Sequence, residues 1–274
     1  MSTPTVRPER SGWSARSGWS ASAVSSGLDG SRHVLAPLVL GAVLLGAWHG
    51  AVVALSIEPF VLPSPVAIGQ AFADKIGPIG TAMKVTGTNA AIGLVTGAVV
   101  ALLAAAIGHL WPVTERLGAP VVTALSVIPI VALAPVLYTM MGAGAQTTRQ
   151  IIAAIAVFVP VYVNALRGFA NVSAVHRDLM AAAGATHWQS TWHLTLPSAT
   201  PYITTGLRVA SSLAVISALI SEYFGGPVGG LGKAITSAAS SSNYTLAWAY
   251  VLGAILLGLI FYGVTAAIEH RAGR

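Results

Sequence analysis

The chain has 274 residues, of which 55% are hydrophobic and only 8% charged, with a formal charge of +6. Soluble domains carry about 25% charged residues, so this composition excludes an ordinary soluble enzyme and points to an all-α polytopic membrane protein. The absence of cysteine excludes disulfides, thiolate metal sites and cysteine nucleophiles.

Residues 1–32 are rich in Ser, Gly and Arg and repeat SGWSA at 11–15 and 17–21. Nothing there can bury a core, so a disordered cytosolic tail is expected, although a transit peptide has similar composition. The membrane domain then runs over 33–270. A spanning helix needs about 20 mostly apolar residues, and six segments qualify: 34–57, 86–109, 118–141, 149–168, 200–221 and 245–268. Gly46 with Gly50, and Gly93 with Gly97, have the four-residue spacing that lets membrane helices approach closely. Between the first two spans, LPSPVAIGQAF predicts a short amphipathic helix on the outer interface. Pro129 and Pro135 fall in the third span and Pro160 in the fourth; each removes a donor and predicts a kink. The freed carbonyls must face protein or a wet cavity, so these helices either pack in a bundle or line a path.

The basic residues test this layout. With the N-terminus in the cytosol, Arg7, Arg10, Arg16, Arg32, Arg116, Arg167, Arg177, Arg208, Arg271 and Arg274 fall inside, and Lys75, Lys84, Arg149 and Lys233 outside. That is the asymmetry of the positive-inside rule. It assigns the basic residues to topology rather than nucleic acid, and puts both termini in the cytosol.

Between spans four and five lies DLMAAAGATHWQSTWHLTLPSATP, Asp178 to Pro201, too polar to cross a membrane. Asp178 suits a helix N-terminus. Ala181, Ala185, Trp188 and Trp192 recur on one helical face, and Pro197 would end that helix before the fifth span. On composition alone this is an interfacial helix held by its two Trp rings.

The spacing adds more. From Gly184, Leu194 follows after ten residues and Leu196-Pro197 shortly after. This resembles the cytosolic EAA loop of bacterial ABC-importer permeases, E-A-A-x-x-x-G followed after nine residues by I-x-L-P. Asp178 stands in the Glu position, Leu179 and Met180 replace the alanines, and Leu194 replaces the Ile. LPSPVAIGQAF, VIPIVALAPVL, TLPSATPYITTGLRVASSLAVISALISEYFG and GGLG at 229–232 extend the resemblance over about 34–268, to the branch serving sulfonates, nitrate, taurine and pyrimidine precursors. The resemblance implies a type I importer bundle of six helices in a bacterial cytoplasmic membrane, with a cytosolic coupling helix in a loop over about 174–198. The implied partners are an ABC ATPase that uses the ATP and Mg, a second and identical permease chain, an extracytoplasmic solute-binding protein and membrane lipid. No cofactor belongs to this chain itself. Asp178, Ala181, Ala182, Ala183, Gly184, Ala185, Trp188, Leu196 and Pro197 would form the ATPase contact.

GGPVGGLGKAIT is not a phosphate loop. Pro227 stands where the first Gly is required, and Ala234 where Ser or Thr is required. Arg208, inside span five, is expected to snorkel to the inner boundary and brace the loop. Glu222 closes span five, where a carboxylate opposes the helix dipole; that placement invites a role in gating or in docking a solute-binding protein. With Ser126, Pro129, Tyr138 and Ser217, it completes the candidates for a translocation path. An intramembrane protease is disfavoured because Ser126 and Ser217 lack a G-x-S setting and His270 lies at the end of span six. An ion-coupled carrier would show more ionisable residues mid-span.

Overall fold

The computed structural model describes residues 29–142, 144–225 and 229–272. Most of the expected tail therefore lies outside the described residues, and its last four positions already belong to the first helix. Helix α1 covers Asp29–Ala54. Its residues up to Trp48 form a unit of their own, and the remainder of the chain from His49 forms the other.

In that second unit, Ser64 accepts a hydrogen bond from the Ala67 amide at 3.2 Å and Pro65 opens α2, Pro65–Asp74. This is the short helix expected there, capped by a serine side chain and started by a residue whose φ is already helical. Helix α3, Ile76–Leu110, starts ten residues before the predicted span. Helix α6 is Gln146–Ala170, α9 is Leu196–Tyr223 and α11 is Tyr244–Ala272.

The predicted third span is not one kinked helix. It divides into α4, Pro112–Val127, and α5, Ile130–Met141, bent by 100°. Pro129 occupies the N-cap of α5 with an extended ψ of 103°. Proline also disfavours the helical region for the residue before it, and Ile128 is extended with ψ 124°. Two successive non-helical residues break the helix where a proline alone would only kink it.

Side-chain register fixes the direction of each helix. Asn89 of α3 bonds Gln146 and Gln150 of α6, while a Cβ on Gly97 would meet Ala154 and Val157, so α3 and α6 run parallel. Gly168 of α6 abuts Ala199, Gly206 of α9 abuts Asn164, and Arg149 meets Glu222, so α9 is antiparallel to α6. Thr205 bonds Glu269 and Ser211 bonds Thr265, which turns α11 back again. Two parallel helices in succession require an intervening crossing. The bent α4–α5 pair supplies it, so the candidate spans among the described residues number six when that pair counts as one and five otherwise.

Of the two glycine pairs, only the second is a close contact. At Gly93 and Gly97 an added Cβ would collide with Ala153 and with the Ala154 backbone, whereas at Gly50 it would meet nothing within 4 Å. The core is built of alanines from α3, α6 and α9, among them Ala90, Ala101, Ala165, Ala210 and Ala214, each fully buried. Small side chains let dispersion contacts replace the hydrophobic drive that lipid does not provide.

Candidate functional site

Two constellations stand at opposite ends of α9. At the first, the chain between α6 and α9 forms α7, Ala174–Ala182, then a turn at Gly184 with φ +70°, then α8, His187–Ser190. The turn is a complete Schellman closure: Gly184 donates to Ala181 and Ala185 to Met180, both at 3.0 Å. A left-handed residue is required there, so the glycine of the spacing motif has a backbone reason. Thr186 then restarts the helix with a capping box, accepting from the Gln189 amide while Gln189 Oε1 accepts from the Thr186 amide at 2.8 Å.

Three expectations are corrected here. Asp178 lies in the middle of α7 rather than at a helix start, and Trp188 and Trp192 belong to a different helix from Ala181. Nor does Pro197 break the chain. A π-turn, Thr191–Thr195, precedes it, with the Leu196 amide reaching Thr191 five residues back. The wider turn accommodates the proline ring and its missing donor, so the helix runs unbroken from His187 to Tyr223.

Val175, Leu179, Trp188 and Trp192 are 74, 64, 70 and 50% exposed on this loop, and Asp178, Ala181, Ala182, Ala183, Gly184 and Pro197 are exposed with them. The two Trp rings touch edge to face, with centroids 5.6 Å apart. Further along α9, Arg208 pairs with Glu269 of α11 at 3.0 Å and lies over the Tyr262 ring.

At the other end, Arg149 and Glu222 are both fully buried and pair at 3.5 Å. The sequence counts Arg149, the first residue of the expected fourth span, on the outer side; it is the fourth residue of α6 and is fully buried, donating also to Gln146 at 3.2 Å and Tyr138 at 3.4 Å. Glu222 accepts from Thr86 at 3.0 Å and from the Gly232 amide at 2.8 Å, and Leu231 donates to Thr86 at 2.8 Å. Those amides open α10, Leu231–Ser240, in a stretch read from sequence as a loop. The GGLG motif now has a cause. A Cβ at Gly230 would overlap the Glu222 carboxylate and one at Gly232 would overlap the Leu219 carbonyl oxygen, so the two glycines let this helix N-terminus close on the carboxylate, which its dipole favours.

Of the candidate path residues, Tyr138, Ser217 and Glu222 are buried within the bundle, while Ser126 and Pro129 are exposed at the α4–α5 break. The structure does not bring the five together on one surface. Thr86, Asn89, Gln146 and Arg149 were missed. For Thr86, Asn89 and Arg149 the signal was polarity within expected spans two and four; Gln146 precedes the expected fourth span and joins them only because α6 starts earlier.

Residues 97–274 match the family described as "Binding-protein-dependent transport system inner membrane component". The chain belongs to that family. It is an ABC-importer permease, a multi-pass protein of the cytoplasmic membrane, and its family works with ATPase and solute-binding partners. Among similar permeases, the riboflavin transport system permease protein RibX of Chloroflexus aurantiacus is 27% identical over 83% of this chain and 85% of its own. The taurine transport system permease protein TauC of Escherichia coli is 29% identical over 86% and 88%. The formylaminopyrimidine transport permease protein ThiX of Halalkalibacterium halodurans is 30% identical over 61% and 67%.

Proposed function

We propose that the segment over 174–198 is the docking element for a separate ABC ATPase, and that the permease imports a small polar solute of the sulfonate, taurine, nitrate or pyrimidine-precursor type. The observation that carries this is an ordered loop, closed by a Schellman turn and a capping box, that leaves four large apolar side chains exposed. Exposed apolar surface on a rigid frame marks a protein interface, and a short helix in a partner's groove is a standard mode of recognition. The basic residues Arg116, Arg167, Arg177, Arg208 and Arg271 lie toward this end of the bundle, which supports placing it in the cytosol.

The working assembly in this reading is two identical permeases, two ATPases and an external binding protein. ATP and Mg serve the ATPase, and no cofactor belongs to the permease. ATP binding draws the two Gly184 loops together and opens the bundle outward by alternating access; hydrolysis resets it. Co-purification with a co-expressed ABC ATPase tests the docking. Leu179→Asp with Trp188→Ala should abolish recovery of the ATPase, and Lys233→Ala at the opposite end should leave it intact. Equal recovery from both variants would overturn the assignment.

A further inference from the structure

Movement of the docking loop has to cross about 30 Å of hydrocarbon to reach the other face. The helix from His187 to Tyr223 has 37 residues, roughly 55 Å at about 1.5 Å per residue, with no loop along it. One end carries Trp188 and the other ends on Glu222. A displacement at the docking end is therefore delivered to the Glu222 carboxylate.

Four elements meet at that carboxylate: Thr86 from α3, Arg149 from α6, Glu222 from α9 and the Gly232 amide from α10. Stability alone does not account for a charged pair there, because buried ion pairs are often replaceable by apolar residues without loss. Ionisable groups inside a membrane bundle are costly and mark function. Along the bundle, Gly93 and Gly97 seat α3 closely on α6, and Gly168 and Gly206 seat α6 closely on α9. Helix α10 meets this site at its N-terminus, through two amide hydrogen bonds, one to Glu222 and one to Thr86, and through Gly232 seated against the Leu219 carbonyl.

The geometry points to Arg149 and Glu222 as positioning residues of the transport cycle, a latch that holds the N-terminus of α10 closed until α9 moves. The charges explain the bistability. Closed, each charge satisfies the other. Opened to water, each is solvated, so separation is cheap. An apolar pair would favour only the dry, closed state. This inference rests on the docking reading above.

The cysteine-free sequence allows a direct test on the permease purified with its ATPase in nanodiscs. Leu231 is fully buried beside the latch, so Leu231→Cys is probed with a charged maleimide, and Ala238→Cys on the same helix gives a second probe position. Trapping with ATP and vanadate should raise the labelling rate about tenfold, the size of an ordinary coupling between sites. Arg149→Met with Glu222→Leu should fold, retain the ATPase and abolish the rise; Arg149→Lys with Glu222→Asp should restore it. A rise unaffected by the apolar pair, or no rise in the parent although the ATPase hydrolyses ATP, overturns the latch. A preparation of the parent chain without bound ATPase overturns the docking reading itself, and with it a latch driven from that end.

Discussion

Replacing Gly97 by Ala tests the α3–α6 crossing that positions the buried pair. The added Cβ would lie 2.9 Å from the Ala154 Cα and 3.0 Å from the Val157 Cβ, whereas carbon atoms rest at about 3.5–4.0 Å. The two helices must then part by roughly 0.5–1 Å. Overpacking of this kind costs about 1–3 kcal/mol, and Ala returns about 0.5–1 kcal/mol of helix propensity, so a net loss of about 1–2 kcal/mol is expected. The separation also lengthens the Asn89–Gln146 bond, now 2.7 Å. Thermal inactivation in nanodiscs measures it, with Gly50→Ala as the control because nothing lies within 4 Å there. Gly97→Ala should melt lower and Gly50→Ala at or above the parent. If Gly97→Ala melts no lower than Gly50→Ala, the backbone contact is not where the structure puts it.

Arg149→Met alone leaves Glu222 buried without its cation, which costs about 3–5 kcal/mol; melting should drop sharply, and the double replacement with Glu222→Leu should recover most of the loss. Gly184→Ala forces a side chain into φ +70°, about 1–2 kcal/mol of local strain, with open space around it; ATPase recovery should fall while the melting of the bundle holds. Glu269→Gln removes a pair whose Arg208 side chain is 36% exposed. Such pairs contribute less than about 1 kcal/mol, so its melting curve should nearly overlay the parent.

Span positions were legible because an apolar run of sufficient length has few alternatives in a bilayer. The place of Gly184 was legible from its spacing to Leu196-Pro197, but its left-handed turn was not, because Ala181, Ala185, Trp188 and Trp192 fit a single helical face. The helix boundaries in that loop were not, since Thr186 and Gln189 form a cap only once Gly184 has turned the chain, and a π-turn ahead of Pro197 has no local signature. Composition also could not separate Gly50 from Gly97, because the same four-residue spacing is a contact only where another backbone arrives.

By itself the sequence determined an all-helical membrane protein, all of its expected spans but the third, the exposed loop and the family. Tertiary structure alone decided that Arg149 is a buried partner rather than a surface charge. Glu222 stands 73 residues further along the chain, and what brings them together is the antiparallel packing of α6 on α9. Burial and pairing are properties of neighbours in space, and neither the hydropathy nor the charge of a residue states who those neighbours will be.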